Sequence, residues 1–209
     1  SDVCSSDLMI ASTKAVKLRN FAWAGWQPGD AWARLWGNNF DIAPHDQWRM
    51  KVWDRLTRVR WLTCFNLTMS TMADYAAELG RFQPDILEAY ANPMYLFALY
   101  IEAQGLVGSI RPRGIITSAE TLFPHQREAI ERVFGCTVFN RYGGRECGDV
   151  AHECDHGTMH LNAETTYTEF IRVGEPCAAG EDGEIILTAL DLYGFPLLRY
   201  KVEDVGSPS

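Results

Sequence analysis

Three short segments concentrate residue types that could do chemistry. They are Thr117-Ser118-Ala119-Glu120, Arg141-Tyr142-Gly143-Gly144-Arg145-Glu146, and Leu198-Arg199-Tyr200-Lys201-Val202-Glu203-Asp204-Val205-Gly206. The first two follow apolar stretches that read as strands, and open α/β sheets place ligand-binding loops at the carboxyl ends of their strands. Tyr142 offers a flat face on which a base can stack. Gly143 and Gly144 have no Cβ, so the backbone there can come close to a ligand. Glu146 is a hard oxygen donor of the kind that suits Mg2+. Asp204 is a carboxylate able to accept hydrogen bonds from both hydroxyls of a ribose. Taken singly, each segment also has an ordinary reading, because a Tyr-Gly-Gly turn is commonly only a turn and an Arg-Tyr-Lys strand a half-buried surface strand.

Cys147, His152, Cys154, His156 and His160 form the densest run of metal-ligand types. Four such ligands make a structural zinc site. The spacing C-x4-H-x-C-x-H-x3-H fits no standard finger, and on a strand His152, Cys154 and His156 would share a face while Cys147 pointed elsewhere. Surface histidines and a small buried thiol are the preferred reading, with zinc on Cys147, His152, Cys154 and His160 as the alternative. No G-x-S-x-G elbow, G-x-x-x-x-G-K-[ST] loop or G-x-G-x-x-G fingerprint occurs, which disfavours hydrolase and dinucleotide-enzyme readings.

Regular elements must hold these loops. Ala15, Leu18, Ala22 and Trp26 recur at helical spacing, and Gln27-Pro28-Gly29-Asp30 supplies a stop and turn. A strand is expected over 31–36, a helix over 44–58 with Trp48, Val52 and Leu56 inward, and a strand over 61–65. Next come a helix over 70–80 closed by Gly80, a strand over 86–90, a helix opened by Pro93, a strand over 114–117, a helix over 124–134 closed by Gly135, and a strand over 137–140. This alternation predicts an α/β fold with a mostly parallel sheet flanked by helices. Strands over 159–161, 166–173, 184–190 and 197–201, separated by Gly-rich turns, predict a mixed or antiparallel β subdomain after it. The expected division is an α/β core over 9–147 and a β-rich subdomain over 148–209. Residues 1–8 have no hydrophobic period and read as a translated sequencing-adapter end, so they are set aside. The seven tryptophans, Trp23, Trp26, Trp32, Trp36, Trp48, Trp53 and Trp61, crowd the first third and are expected to serve packing.

Composition narrows the partners. A net charge of −8 gives no electrostatic footprint for nucleic acid or an anionic membrane. No run approaches the roughly 20 apolar residues of a membrane helix, so no membrane insertion and a cytoplasmic location are expected. Six cysteines at irregular spacing read as reduced thiols.

In order and separation, the three segments resemble the adenylate-forming superfamily of acid ligases, most closely the phenylacetate-coenzyme A ligase and CapK-like family. The resemblance runs over about 15–206 and includes the Ala24–Asp30 turn, Arg34-Leu35-Trp36-Gly37 and the stretch from Glu153-Cys154 to His160-Leu161. It implies part of an adenylate-forming N-terminal domain. By it, Ser118-Ala119-Glu120 forms the small-residue loop against adenine, Tyr142 stacks on that base with Arg141, Gly143 and Gly144 beside it, and Glu146 is the catalytic acid that places Mg2+ on the phosphates. Asp204 is similar to the ribose-binding aspartate that ends the family's Tyr-Arg-Thr-Gly-Asp motif, which here reads Tyr200-Lys201-Val202-Glu203-Asp204. An acyl pocket lined by Tyr90, Ala91, Asn92 and Pro93 follows by the same analogy. The implied reaction joins a small carboxylic acid to ATP as an acyl-adenylate, then passes the acyl group to a thiol such as coenzyme A, within polysaccharide biosynthesis for the CapK-like branch. The family's phosphate loop, expected before Ala15, and its carboxy-terminal lid, expected after Gly206, find no match, so the chain alone is expected to be inactive. The alternative from another class is a non-catalytic nucleotide-binding or zinc-binding scaffold.

Overall fold

The computed structural model describes residues 7–37, 52 and 54–209. The chain separates into two compact units. One holds Phe21–Arg141 with Glu153–Thr158, and the other holds Tyr142–His152 and Met159–Ser209 with the first helix up to Asn20.

Helix α1 (Asp7–Trp23) starts the described chain. Its expected apolar stripe lies on the wrong side: Leu18 is 51% exposed, and the buried residues are instead Val16, Asn20, Phe21 and Ala24. After the turn, in which the Asp30 carboxylate accepts from the Gln27 N–H at 2.6 Å, come β1 (Trp32–Trp36) and β2 (Val59–Thr63). Most of the helix expected over 44–58 falls outside the described residues, but Val52 and Leu56 are 51% and 74% exposed rather than inward.

Helix α2 (Met69–Phe82) begins in a capping box between Thr68 and Thr71, which satisfies two otherwise orphaned N–H groups. It continues through Gly80, and the left-handed cap is Gln83 at φ 47°. Then follow β3 (Ile86–Tyr90), α3 (Ala91–Ala103), β4 (Gly114–Ser118), α4 (Pro124–Phe134) and β5 (Thr137–Gly144). Pro93 falls in the first turn of α3, where a missing N–H breaks no helical hydrogen bond. Pro124 starts α4 and Gly135 ends it at φ 68°, the left-handed geometry that glycine adopts without a Cβ penalty.

The strands of this unit pair in parallel in the order β2-β1-β3-β4-β5. Strand alternation divides its apolar residues into two cores. One gathers Leu35, Leu79, Leu87, Phe97, Ile101, Ile115 and Val138, and the other Phe21, Ala24, Ile86, Ile116 and Phe139. Each fully buried large aliphatic or Phe side chain contributes about 1.5–3 kcal/mol. A Cβ on Gly114 would lie 2.6 Å from the Ala24 carbonyl oxygen, so glycine is what lets the start of β4 meet that turn.

The second unit is built of β6 (Gly148–Glu153, whose last residue belongs to the first unit), β7 (Met159–Leu161), β8 (Thr166–Arg172), β9 (Glu175–Pro176), β10 (Gly183–Ala189) and β11 (Tyr200–Gly206). β8 to β11 form an antiparallel sheet in the order β11-β10-β8-β9. Its core joins Cys147, Val150, Ile185, Leu187, Ala189 and Leu192. The parallel sheet with helices and the antiparallel sheet were expected. The last strand was not placed correctly: it spans Tyr200–Gly206 rather than 197–201, because Pro196 has no N–H to donate and Arg199 turns left-handed at φ 49°. Among the described residues, no helix is long and apolar enough to cross a membrane.

Candidate functional site

In the antiparallel unit, Tyr142, Gly143, Gly144, Glu146 and Asp204 line one cleft of about 210 Å³ together with Cys147, Val150, Leu187, Tyr200 and Val202. Complete small-molecule pockets run to about 300–1,000 Å³, so this cleft has room for part of a nucleotide, such as a base and ribose. The Tyr142 hydroxyl donates to Asp204 Oδ2 at 2.8 Å. Burial, and then the Asp204 carboxylate, push the Tyr142 phenol well above the usual tyrosine range, so it stays a neutral donor.

Asp204 reaches this position through a bulge. Ile186 pairs with Lys201 and Glu184 with Val205, so Val202, Glu203 and Asp204 together face Ile185 alone. Glu203 takes the left-handed conformation at φ 65°. This is the position at which the family motif carries glycine, and the geometry explains that preference. Asp204 thus lies inside β11, not beyond a preceding strand. A Cβ on Gly143 would lie 2.4 Å from the Gly148 carbonyl oxygen and 3.1 Å from Asp149 Cα, so this glycine is required by the chain's own return strand. Gly144 is exposed, and its Cβ position lies 3.1 Å from Glu146 Oε2.

In the parallel unit, Thr117 and Ser118 end β4 fully inside the protein, at 0% and 4% exposure. Ala119 turns left-handed at φ 68°, and the exposed Glu120 carboxylate accepts from the Asn92 N–H at 2.8 Å, on the first turn of α3. The small-residue loop is therefore tied to the residues expected to line an acyl pocket. Of those, Ala91 and Pro93 are buried in the helix packing, Asn92 is exposed, and Tyr90 sets its ring edge-on to Trp36 at 4.5 Å. Arg141 is buried with its Nη1 2.9 Å from Glu88 Oε1.

Glu88 and Arg34 were not singled out from the sequence. Glu88 is 0% exposed and lies 2.6 Å from Arg34 as well. The available signal was a lone carboxylate inside the apolar run Ile86-Leu87-Glu88-Ala89-Tyr90, since acids are almost never fully buried without a partner. Trp26 and Trp32 pack against the core of Phe21, Ala24, Ile86, Ile116 and Phe139, as expected, but packing is not the whole role of the tryptophans. Trp32, Trp36 and Trp61 are half-buried and surround the Arg34 guanidinium at 5.1, 4.9 and 4.3 Å, while Trp48 and Trp53 lie outside the described residues.

Among the described residues, no three His, Cys, Asp or Glu side chains are gathered to hold a metal ion. The alternative zinc set disperses because β6 ends at Glu153: His152 and Cys154 are buried, and His156 and His160 are exposed in and after the following turn. Burial, followed by the Glu146 and Asp191 carboxylates, pushes the Cys147 thiol up to about 11. A lone carboxylate such as Glu146 still suits Mg2+, which keeps most of its water and takes phosphate oxygens from its substrate.

The fold, a mostly parallel sheet with helices plus an antiparallel sheet, is that of the adenylate-forming enzymes. The chain matches the solved structure of 2-hydroxyisobutyryl-CoA ligase in complex with 2-HIB-AMP and CoA at a TM-score of 0.74 and 15% identity, over 93% of this chain and 44% of that one. In sequence it is a relative of Protein CapK from Staphylococcus aureus, 32% identical over 130 residues, and of phenylacetate-coenzyme A ligase from Escherichia coli K12, 31% identical over 140 residues. Each alignment covers 62% of this chain, which spans only 28% and 32% of those two proteins. No protein-family model matches.

Proposed function

We propose that the protein containing this segment activates a small carboxylic acid with ATP and Mg2+ and then transfers the acyl group to coenzyme A. A carboxylate oxygen attacks the α-phosphorus, the bond to pyrophosphate breaks, and an acyl-adenylate forms. The thiolate of coenzyme A then attacks the acyl carbon, and AMP leaves. The Tyr142–Asp204 hydrogen bond is the observation that carries this reading, because it joins an aromatic face to a carboxylate within one cleft. With one oxygen held by Tyr142, Asp204 keeps lone pairs for the ribose hydroxyls, while the Tyr142 ring stacks on the base. By the resemblance, Ser118-Ala119-Glu120 and Arg141 are assigned to the adenine, and Gly143 and Gly144 shape the strand end that carries Tyr142. Glu146 would hold Mg2+, which neutralises charge on the phosphates. Tyr90 and Asn92 belong to the acid side of the site. By the resemblance to the CapK-like branch, the proposal extends to a cytoplasmic step in polysaccharide biosynthesis.

The test is acid-dependent pyrophosphate exchange by the full-length protein with ATP and Mg2+ across aromatic and small acids, comparing wild type with Glu146→Gln and Asp204→Ala. Exchange that requires one acid and collapses in both variants is expected. A folded protein with no exchange on any acid would turn the reading toward a nucleotide-binding scaffold.

A further inference from the structure

Glu88, Arg34 and Arg141 form a buried charge triad within the parallel unit. Glu88 Oε2 lies 2.6 Å from Arg34 Nε, and Glu88 Oε1 lies 2.9 Å from Arg141 Nη1. Side-chain exposures are 0% for Glu88, 14% for Arg34 and 8% for Arg141. Period-two alternation puts Arg34 on the face of β1 that also carries Trp32 and Trp36, and Glu88 on the face of β3 that carries Tyr90. Both guanidiniums also lie over aromatic faces, an arrangement that attracts a cation to the ring. Trp36 is shared by both cations, with Arg34 4.9 Å and Arg141 5.4 Å from its ring centre. Trp36 in turn meets Tyr90 edge-on at 4.5 Å. The neighbouring Gly37 leaves no slack, since a Cβ there would lie 3.3 Å from the Phe65 ring and 3.4 Å from the Tyr90 hydroxyl.

A buried ion triad is a poor way to gain stability, because well-packed apolar side chains of similar volume often do as well or better. What an apolar replacement could not do is aim two cations at one indole. Trp36 and Tyr90 end β1 and β3, at the carboxyl edge where open α/β sheets bind ligands. We propose that Glu88 is a positioning residue for the acid substrate: through Arg34 and Arg141 it fixes Trp36, and through Trp36 it fixes Tyr90. The role rests on the adenylating reading, with Tyr90 on the acid side.

The experiment uses the full-length protein labelled with fluorotryptophan, the Trp36 resonance being assigned by its loss in Trp36→Phe. Glu88→Gln is expected to raise the KM of the acid about tenfold or more, as a misplaced wall of a substrate site does. The KM of ATP should rise by a smaller factor than that of the acid, since Arg141 is the one residue assigned to the nucleotide that Glu88 pairs with here. The Trp36 resonance should split or broaden. A second variant, Arg34→Met with Glu88→Met and Arg141→Met, guards against misfolding; it should melt cooperatively and still show the raised acid KM and the altered resonance. Wild-type acid KM in the apolar variant, KM values for acid and ATP that rise by the same factor in Glu88→Gln, or an unchanged Trp36 resonance would each overturn the assignment. Absence of acid-dependent exchange in wild type is a failure of the adenylating reading, and in that case the fluorine spectrum alone still decides whether Glu88 orders Trp36.

Discussion

The two units carry their polar burdens in opposite ways. In the parallel unit the five strands pair in unbroken register, the left-handed residues Gln83 and Ala119 fall at a helix cap and in a loop, and the unusual feature is a charged triad inside the sheet. In the antiparallel unit the side chains at the cleft are ordinary, and the backbone is unusual: a bulge at 202–204, a left-handed Glu203, and a Gly143 pressed against its return strand. Parallel strands buried on both faces leave little freedom to bend, so chemistry there must come from side chains. An antiparallel outer strand can bulge, and so re-aim a carboxylate without burying it.

Substitutions can break or sharpen this contrast. The largest effect belongs to the charge triad: Glu88→Ala leaves two buried guanidiniums without their carboxylate and should cost about 3–5 kcal/mol in urea unfolding. A loss below 1 kcal/mol would mean that water or other acceptors take over. Next is Gly143→Ala, which must force β5 and β6 apart and should cost about 1–3 kcal/mol while weakening AMP binding measured by calorimetry. Full retention of both would show that the close approach to Gly148 is not required. The smallest effect has the opposite sign. Glu203→Gly should stabilise the protein by about 0.5–1 kcal/mol, because glycine adopts positive φ without the steric penalty that the glutamate bears. A lower melting temperature in that variant would show that the bulge depends on the Glu203 side chain.

Legibility in the sequence followed the same division. Strand 86–90 and helix 124–134 were read with the bounds they have in the structure, because an apolar run between punctuating residues and a Pro…Gly bracket are local signals. Gly80 misled because a glycine can sit inside a helix when the following residues still pack, as Phe82 does against the core. Helix α1 misled because its buried face includes Asn20, a polar residue that an apolar count ignores; Asn20 lies 3.3 Å from the Asn162 side-chain oxygen, far away in sequence. Strand β6 was missed because its buried residues, Val150, Ala151 and His152, are consecutive rather than alternating. At the candidate site, Tyr142 and Asp204 were legible only as members of a resembling motif; their hydrogen bond depends on a register shift that no local spacing encodes. The triad was illegible as a triad for a related reason: Arg34, Glu88 and Arg141 come from three separate strands, and only Glu88, alone in its apolar run, signals burial.

The bulge in β11 also bears on how readily this sheet edge can pair with another strand. Among the described residues β11 is the outermost strand of its four-stranded sheet, and a long, flat outer strand is a template for pairing with another strand. Here the ladder is interrupted over 202–204, and Lys201, Glu203 and Asp204 present charge along the same exposed stretch. The distortion that turns Asp204 toward Tyr142 therefore also leaves this stretch of β11 a poorer template for a further strand than a straight one would be.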